Sequence, residues 1–367
     1  MSQTMPIADL AVSETPLAAQ LAVESGPALE LVMHRGAKTP LRFEGKAREL
    51  PALIRGTGVF DLGFRTFLRA TGKDRVRWLN GMITQAVKAM APEQVAYTLV
   101  LSPQGRIQGD GDVYFHEDVL FLETDRFQAD RLLTHLRRFI IMDDVKLEGL
   151  DEAATALGIA GPQAAEILGS FGAAVPGPGS FHSTKLAGVE VMVAHGFGPL
   201  TPHFELHMPA HQALTVWKAL VAAGARPSGV EALNDLRVLE GVPQFDTDFS
   251  DKHLPQETNL DRALNFTKGC YIGQEIVERI RSRATVHRSL RQFELSGDVP
   301  KLGPGEKAEL RAAGAAVGEL TSTAAIVLPG LEKALALGVA RVEALEANEV
   351  LEYDGGTAVA LSAPPTL

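Results

Sequence analysis

The chain reads as an α+β protein closed by a small β-barrel or sandwich. Three observations predict this. From residue 56 to residue 150, strands and helices interleave, and tight turns between neighbouring strands make them antiparallel. A second stretch, from residue 154 to residue 240, repeats the alternation. Beyond about Thr285 only short β-like runs remain, separated by turn residues.

Element by element, residues 1–30 are rich in Ala, Ser, Thr and Pro and read as a poorly ordered lead or an amphipathic helix around Pro16–Glu24. A helical pattern over Ala47–Arg55 runs into Gly58-Val59-Phe60-Asp61-Leu62, an apolar triplet framed by glycines that predicts a buried strand. Phe67–Gly72 predicts a second strand, and Lys73-Asp74 opens a helix that stops at Asn80-Gly81. Ala96–Leu101 and Arg106–Phe115 form a hairpin around Ser102-Pro103-Gln104-Gly105, and Val119–Thr124 follows after a turn at His116-Glu117-Asp118. A helix over Ala129–Arg138 and a strand over Val145–Leu150 close this half. In the second half the spacing predicts a strand at Thr155–Ala160 and a helix with Pro162 at its first position. Val175–Ser183 reads as a Gly/Pro loop, followed by strands Val189–Ala194 and His203–Met208. Helices Pro209–Ala223 and Glu231–Glu240 follow, and residues 242–266 are irregular and acidic. The last part holds β-like runs at Arg291–Leu295, Glu306–Arg311, Ala316–Thr321, Leu335–Val342, Val350–Tyr353 and Thr357–Leu361. The divisions implied are an extension 1–45, a first half 46–150, a second half 151–284 and a barrel 285–367.

Composition narrows the function classes. A chain of 367 residues favours two or three domains over one core. It has no uninterrupted apolar run of about eighteen residues, so no membrane helix is expected. The first residues carry no basic-then-apolar leader, and a cytoplasmic location is expected. One cysteine excludes an internal disulfide and a thiolate cage for zinc or a cluster. A formal charge of −10 argues against sequence-specific nucleic-acid binding, and no HExxH or CxxC spacing points to a metal.

The densest chemistry lies in the loop 265–275, Asn265-Phe266-Thr267-Lys268-Gly269-Cys270-Tyr271-Ile272-Gly273-Gln274-Glu275. Two glycines bracket the cysteine and a tyrosine, and a helical pattern begins at once with Gln274 and Glu275 in its first turn. Lys268 and a helix start would lower the pKa of Cys270 and make it reactive; a cysteine that merely shapes the loop is the plainer alternative. A second candidate is Gly105–Asp112, with Asp110 and Asp112 in the predicted hairpin strand; exposed hairpin acids are the alternative there. Arg279, Arg281, Arg283, Arg288 and Arg291 with His287 form a basic run suited to an anion, or simply a solvated face.

Lys268-Gly269-Cys270-Tyr271-Ile272-Gly273-Gln274-Glu275 resembles the K-G-C-Y-x-G-Q-E signature of the YgfZ-type folate-binding proteins, relatives of the glycine-cleavage T-protein. Gly58–Leu62, Leu236–Pro243, Pro255–Glu257 with Asn259-Leu260, and Gly318–Ser322 resemble further segments of that family. The resemblance implies a T-protein-like arrangement of three domains around a central opening that holds tetrahydrofolate, with the C-terminal β-barrel as the third. It places the T-protein's catalytic aspartate at Asp110, with Asp112 as the other register. Lys268, Gly269, Tyr271, Gln274, Glu205 and Asp110 would then contact the folate, and Cys270 would serve the chemistry. One departure stands out. The T-protein motif G-E-x-G-[YF]-E falls on Gly198–Glu205, where Phe204 and Glu205 match but Thr201 replaces the folate-contacting glutamate. A Thr201→Glu change is therefore expected to strengthen folate binding. The resemblance implies a tetrahydrofolate-binding protein that supports iron–sulfur cluster assembly or repair and, through it, tRNA-modifying enzymes. The alternatives are a folate-dependent aminomethyltransferase or demethylase, and a scaffold with a vestigial pocket.

Overall fold

The computed structural model describes residues 13–25, 29–149, 153–283, 286–347 and 349–366, with the side chains of Ser25 and Arg283 excepted. The expected lead at residues 1–12 lies outside these. Helix Pro16–Ser25 forms where the amphipathic pattern placed one.

A five-stranded antiparallel sheet has the order Gln94–Leu101, Ile107–Phe115, Leu120–Asp125, Arg65–Thr71, Lys146–Gly149. Helices Arg75–Met82 and Arg126–Arg137 cover one face, burying Trp78, Leu79, Leu132 and Leu136 against Leu68, Val113 and Leu122. A six-stranded sheet has the order Phe181–Leu186, Val189–His195, His203–Pro209, Ala154–Ala160, Gly58–Asp61, Arg226–Pro227. The early strand Gly58–Asp61 pairs with Ala154–Ala160, so of the two large sheets the chain enters this one first and crosses to the other after Leu62. Helices Ala164–Ser170 and Ala213–Ala222 pack on it through Leu168, Val216, Trp217 and Leu220. The first of these starts at Ala164, so Pro162 stands ahead of the helix rather than at its first position.

The terminal strands form a closed barrel in the order Arg288–Gly297, Leu331–Arg341, Ala315–Leu328, Ala308–Ala312, Leu351–Tyr353, Gly356–Ala360. Its edge-free closure removes the unpaired strand that a sandwich would leave. The helix Val230–Leu239 packs its Ala232, Leu236 and Leu239 onto barrel residues Ile326, Leu335 and Leu337.

Two hairpins depart from the sequence reading. Leu31–His34 and Ala37–Pro40 pair across Arg35-Gly36, and Phe181–Leu186 pairs with Val189–His195 across Ala187-Gly188, where a loop was expected. Both turns hold positive φ at both residues (51° and 97°, then 50° and 81°), the two-residue turn that matches the twist of its strands. No helix among the described residues is long and apolar enough to cross a membrane.

Candidate functional site

The two sheets meet edge-on near Gly179, whose carbonyl accepts from the Val95 N–H, and Tyr114 packs on Phe181 across the junction. A cavity of about 640 Å³ opens beside this seam, within the range of pockets that enclose small organic ligands.

Its acidic wall follows from strand periodicity. Along Ile107–Phe115, residues Asp110, Asp112 and Tyr114 point to one face, and on the facing sheet Glu205 and His207 alternate in the same way. Asp110 Oδ2 accepts from the Tyr97 hydroxyl at 2.6 Å, and Oδ1 accepts from Gln128 Nε2 at 2.8 Å. Both donors are neutral, and no cation pairs with the Asp110 carboxyl among the described residues, so these two bonds hold it against the cavity it lines. Gly111 lets this strand lie close to its neighbour, since a Cβ there would stand 2.2 Å from the Glu123 carbonyl.

Deeper in, Arg65 gathers three carboxylates. Its Nη2 lies 2.8 Å from Asp112 and 3.3 Å from Glu123, and its Nη1 lies 2.6 Å from Glu205. The Tyr114 oxygen is 3.1 Å from Glu123 and 3.2 Å from Glu205, but its single proton can serve only one of them. Burial pushes Glu123 up to about 7 against the attraction of Arg65 and His207. Burial also opposes charge on Glu205, yet Arg65 and then His207 hold it well below the usual carboxylate range. The consistent arrangement is a protonated Glu123 that donates to Tyr114, whose own proton goes to the ionised Glu205. Burial raises Asp112 as well, with Arg65 opposing. His203, also in the cavity wall, is lowered to about 4 by burial and is neutral; its buried Nδ1 has no partner.

Three arginines line the cavity. Arg35 comes from the tip of the first hairpin, pairs with Asp125 and donates to the Phe245 carbonyl at 2.8 Å. Arg65 is paired as above. Arg262 lies on the short turn Asp261–Ala263 with its guanidinium carbon 3.8 Å from the Tyr97 ring and 3.9 Å from the Phe197 ring.

The signature loop lies elsewhere. Of the residues expected at the site, Asp110, Asp112 and Glu205 line the cavity, whereas Lys268, Gly269, Cys270, Tyr271 and Gln274 do not. Lys268 Nζ donates to the carbonyls of Asn80 (2.6 Å), Ile83 (2.6 Å) and Gln85 (2.5 Å), tying down the chain after helix Arg75–Met82. Burial pushes this amine down to about 7, while three carbonyl acceptors act in the opposite sense. Its Nζ also sits 4.8 Å from the centre of the buried Tyr271 ring, which packs with Leu99, Leu101 and Phe249. Gly273, at φ 80°, lets the loop press on the turn before strand Ile107–Phe115: a Cβ there would stand 2.7 Å from the Ser102 carbonyl. Gly269 and Cys270 are exposed, and Gln274 opens helix Gln274–Arg283. The link to the cavity is indirect: Gln85, held by Lys268, turns its side chain into the cavity wall and donates to the Arg262 carbonyl at 2.7 Å.

Thr201 is buried and outside the cavity wall, and its hydroxyl donates to Glu240 Oε1 at 3.1 Å. A glutamate at this position would set a second carboxylate against Glu240. Phe204 is core. The basic run is dispersed: Arg288 pairs with Glu257, Arg291 bonds Ser289 and the Leu290 carbonyl, and Arg281 lies over Phe266. The side chain of Arg283 is outside the described residues. Sequence reasoning missed Arg35, Arg65, Tyr97, Glu123 and Arg262. Of these only Tyr97 carries a local signal, because the hairpin register sets it directly opposite Asp112.

Residues 26–268 match the family model described as the GCVT N-terminal domain. An aminomethyltransferase of Caldanaerobacter subterraneus is 25% identical over 284 residues, covering 75% of this chain and 76% of that protein. An aminomethyltransferase of Rubrobacter xylanophilus is 27% identical over 271 residues, 73% of each chain. Among solved structures, the glycine cleavage system aminomethyltransferase T of Bartonella henselae superposes with a TM-score of 0.82 at 17% identity, over 96% of this chain and 97% of that one, which establishes a shared fold.

Proposed function

The chain belongs to the family of the GCVT N-terminal domain, and from that premise we propose that it binds tetrahydrofolate in the acid-lined cavity and acts on a one-carbon unit carried by the folate, as an aminomethyltransferase or demethylase would. The observation that carries this reading is Asp110, a carboxylate facing the cavity and held in place by two neutral donors, Tyr97 and Gln128. A carboxylate so held can orient and polarise N–H groups of a bound heterocycle. Neutral His203 lines the same wall and adds no charge that would compete with Asp110. These residues suit a ring bearing several N–H donors, and the cavity volume of about 640 Å³ suits a ligand with a tail. Tetrahydrofolate, when bound, supplies the amine that accepts the one-carbon unit. The test is calorimetric titration with tetrahydrofolate. Saturable one-site binding is expected, with Asp110→Asn weakening it roughly ten- to a hundredfold, the range for a lost hydrogen bond to a charged group. Equal binding by both proteins would remove Asp110 from the site, and binding by neither would leave a scaffold with a vestigial pocket.

A second reading rests on Cys270. It is exposed, outside the cavity and set in the stretch that resembles the YgfZ-type signature, so folate and a protein partner could be engaged at once. In this reading the folate-loaded protein works in the cytoplasm with iron–sulfur assembly or client proteins, and tRNA-modifying enzymes depend on it indirectly. Loss of iron–sulfur enzyme activity in cells carrying Cys270→Ser, with folate binding intact, would favour it. Unchanged activity would remove the cysteine from that role.

A further inference from the structure

We propose that Arg262 is the receptor for a carboxylate of the ligand that occupies the cavity. Of the three arginines in the cavity wall, two are already committed, Arg35 to Asp125 and Arg65 to Asp112, Glu123 and Glu205. Among the described residues, no carboxylate or carbonyl accepts from the Arg262 guanidinium, and its buried Nε has no partner.

The surroundings decide what can satisfy it. Tyr97 covers one side of the guanidinium and Phe197 stands as close, so the directions left for strong contacts lie in its plane, along the N–H bonds. A planar, always-charged group clasped by aromatic rings and free at its edge suits a carboxylate bound through two parallel N–H···O bonds. Its backbone is fixed too, through the Gln85 side chain on its carbonyl. The ring it stacks on is the one whose hydroxyl holds Asp110. The cavity therefore has an acidic end for N–H donors and a cationic end for an anion, joined through Tyr97. Phe197 is 48% exposed, which puts the cationic end near the mouth. A ligand that fits both ends is elongated, with a nitrogen heterocycle at one end and a carboxylate at the other. Resting on the folate reading, the carboxylate is one of those on the glutamyl tail.

The test uses the full chain and three probes: tetrahydrofolate, tetrahydropterin, which lacks any carboxylate, and 4-aminobenzoylglutamate, which lacks the pterin. Arg262→Gln is expected to weaken tetrahydrofolate roughly ten- to a hundredfold while leaving tetrahydropterin unchanged. Arg262→Lys keeps the charge without the fork and should fall between. An equal loss for tetrahydrofolate and tetrahydropterin would mean that Arg262 only holds the wall together, and no loss for either would also overturn the proposal. If the unaltered protein binds neither pterin probe, the folate reading fails. The anion site then stands or falls on 4-aminobenzoylglutamate: binding that Arg262→Gln abolishes supports it, and absence of binding ends it.

Discussion

The cavity wall and the signature loop each bury a basic group, and they satisfy it in different ways. In the wall, Arg65 faces three carboxylates within 3.3 Å. In the loop, Lys268 pairs with no carboxylate among the described residues; its acceptors are three backbone carbonyls. Carboxylates titrate and can pass protons among themselves, as Glu123, Tyr114 and Glu205 are placed to do. Carbonyls cannot. The first arrangement suits a place where charge changes hands, and the second suits a peg that keeps neighbouring segments in register. A loop dense in reactive residue types is thus the peg, and a wall assembled from scattered residues is the candidate for chemistry.

The largest effect that would break this contrast is at Arg65. Arg65→Met leaves three carboxylates around an apolar stem, an uncompensated buried charge that costs about 3–5 kcal/mol. Chemical denaturation at neutral pH should show that loss, partly recovered in acid as the carboxylates take up protons. A loss below about 1 kcal/mol would mean that solvent already screens the cluster.

The next concerns the proton on Glu123. Its carboxyl is raised from 4.5 to about 7, so between those values the folded chain holds a proton that the unfolded chain has released. The stability this contributes is present in full below about pH 4.5 and is lost as pH rises through 7, by up to about 3 kcal/mol. Glu123→Gln keeps the neutral, hydrogen-bonding form at every pH. It should therefore lack that decline and be the more stable protein at pH 8. Parallel stability curves would place the shared proton elsewhere in the cluster.

At the peg, Lys268→Met retains the stem but removes the donor to three carbonyls, at a cost of about 1–3 kcal/mol. Because Gln85 connects the peg to Arg262, tetrahydrofolate affinity should fall slightly as well, by a few-fold. A loss as large as that of Asp110→Asn would show that Lys268 takes part in binding directly and would erase the contrast.

How much of this was legible in the chain depends on how local each signal is. Asp110 and Asp112 could be placed on one face because a strand repeats every two residues and the Ser102–Gly105 turn sets the hairpin. The barrel was legible from turn residues between short β runs. The hairpins at Arg35-Gly36 and Ala187-Gly188 were hidden because their first turn residue is arginine or alanine, where such turns usually carry Asn, Asp or Gly. Missing the first of them also hid Arg35, which only that turn carries into the cavity. Arg65 and Arg262 reach the wall from separate elements and Glu123 lies buried behind it, and their partners lie far away in sequence. The signature loop is a different case. Lysine, cysteine and tyrosine in one glycine-rich loop suggest a site, but residue type cannot say whether a lysine faces a ligand or a helix end.

Cys270 carries the smallest expected effect and sharpens the contrast from the other side. It is exposed, and no hydrogen bond or ion pair among the described residues involves its thiol. Cys270→Ser should therefore shift stability by less than about 0.5 kcal/mol, as surface changes usually do, and leave tetrahydrofolate titrations unchanged. Alkylation of the unaltered protein by a thiol reagent should run to completion without denaturant and be as harmless to folate binding. If alkylation instead blocks folate, the loop and the cavity are coupled more tightly than the Lys268–Gln85 connection implies, and the division between peg and wall would have to be redrawn around the cysteine.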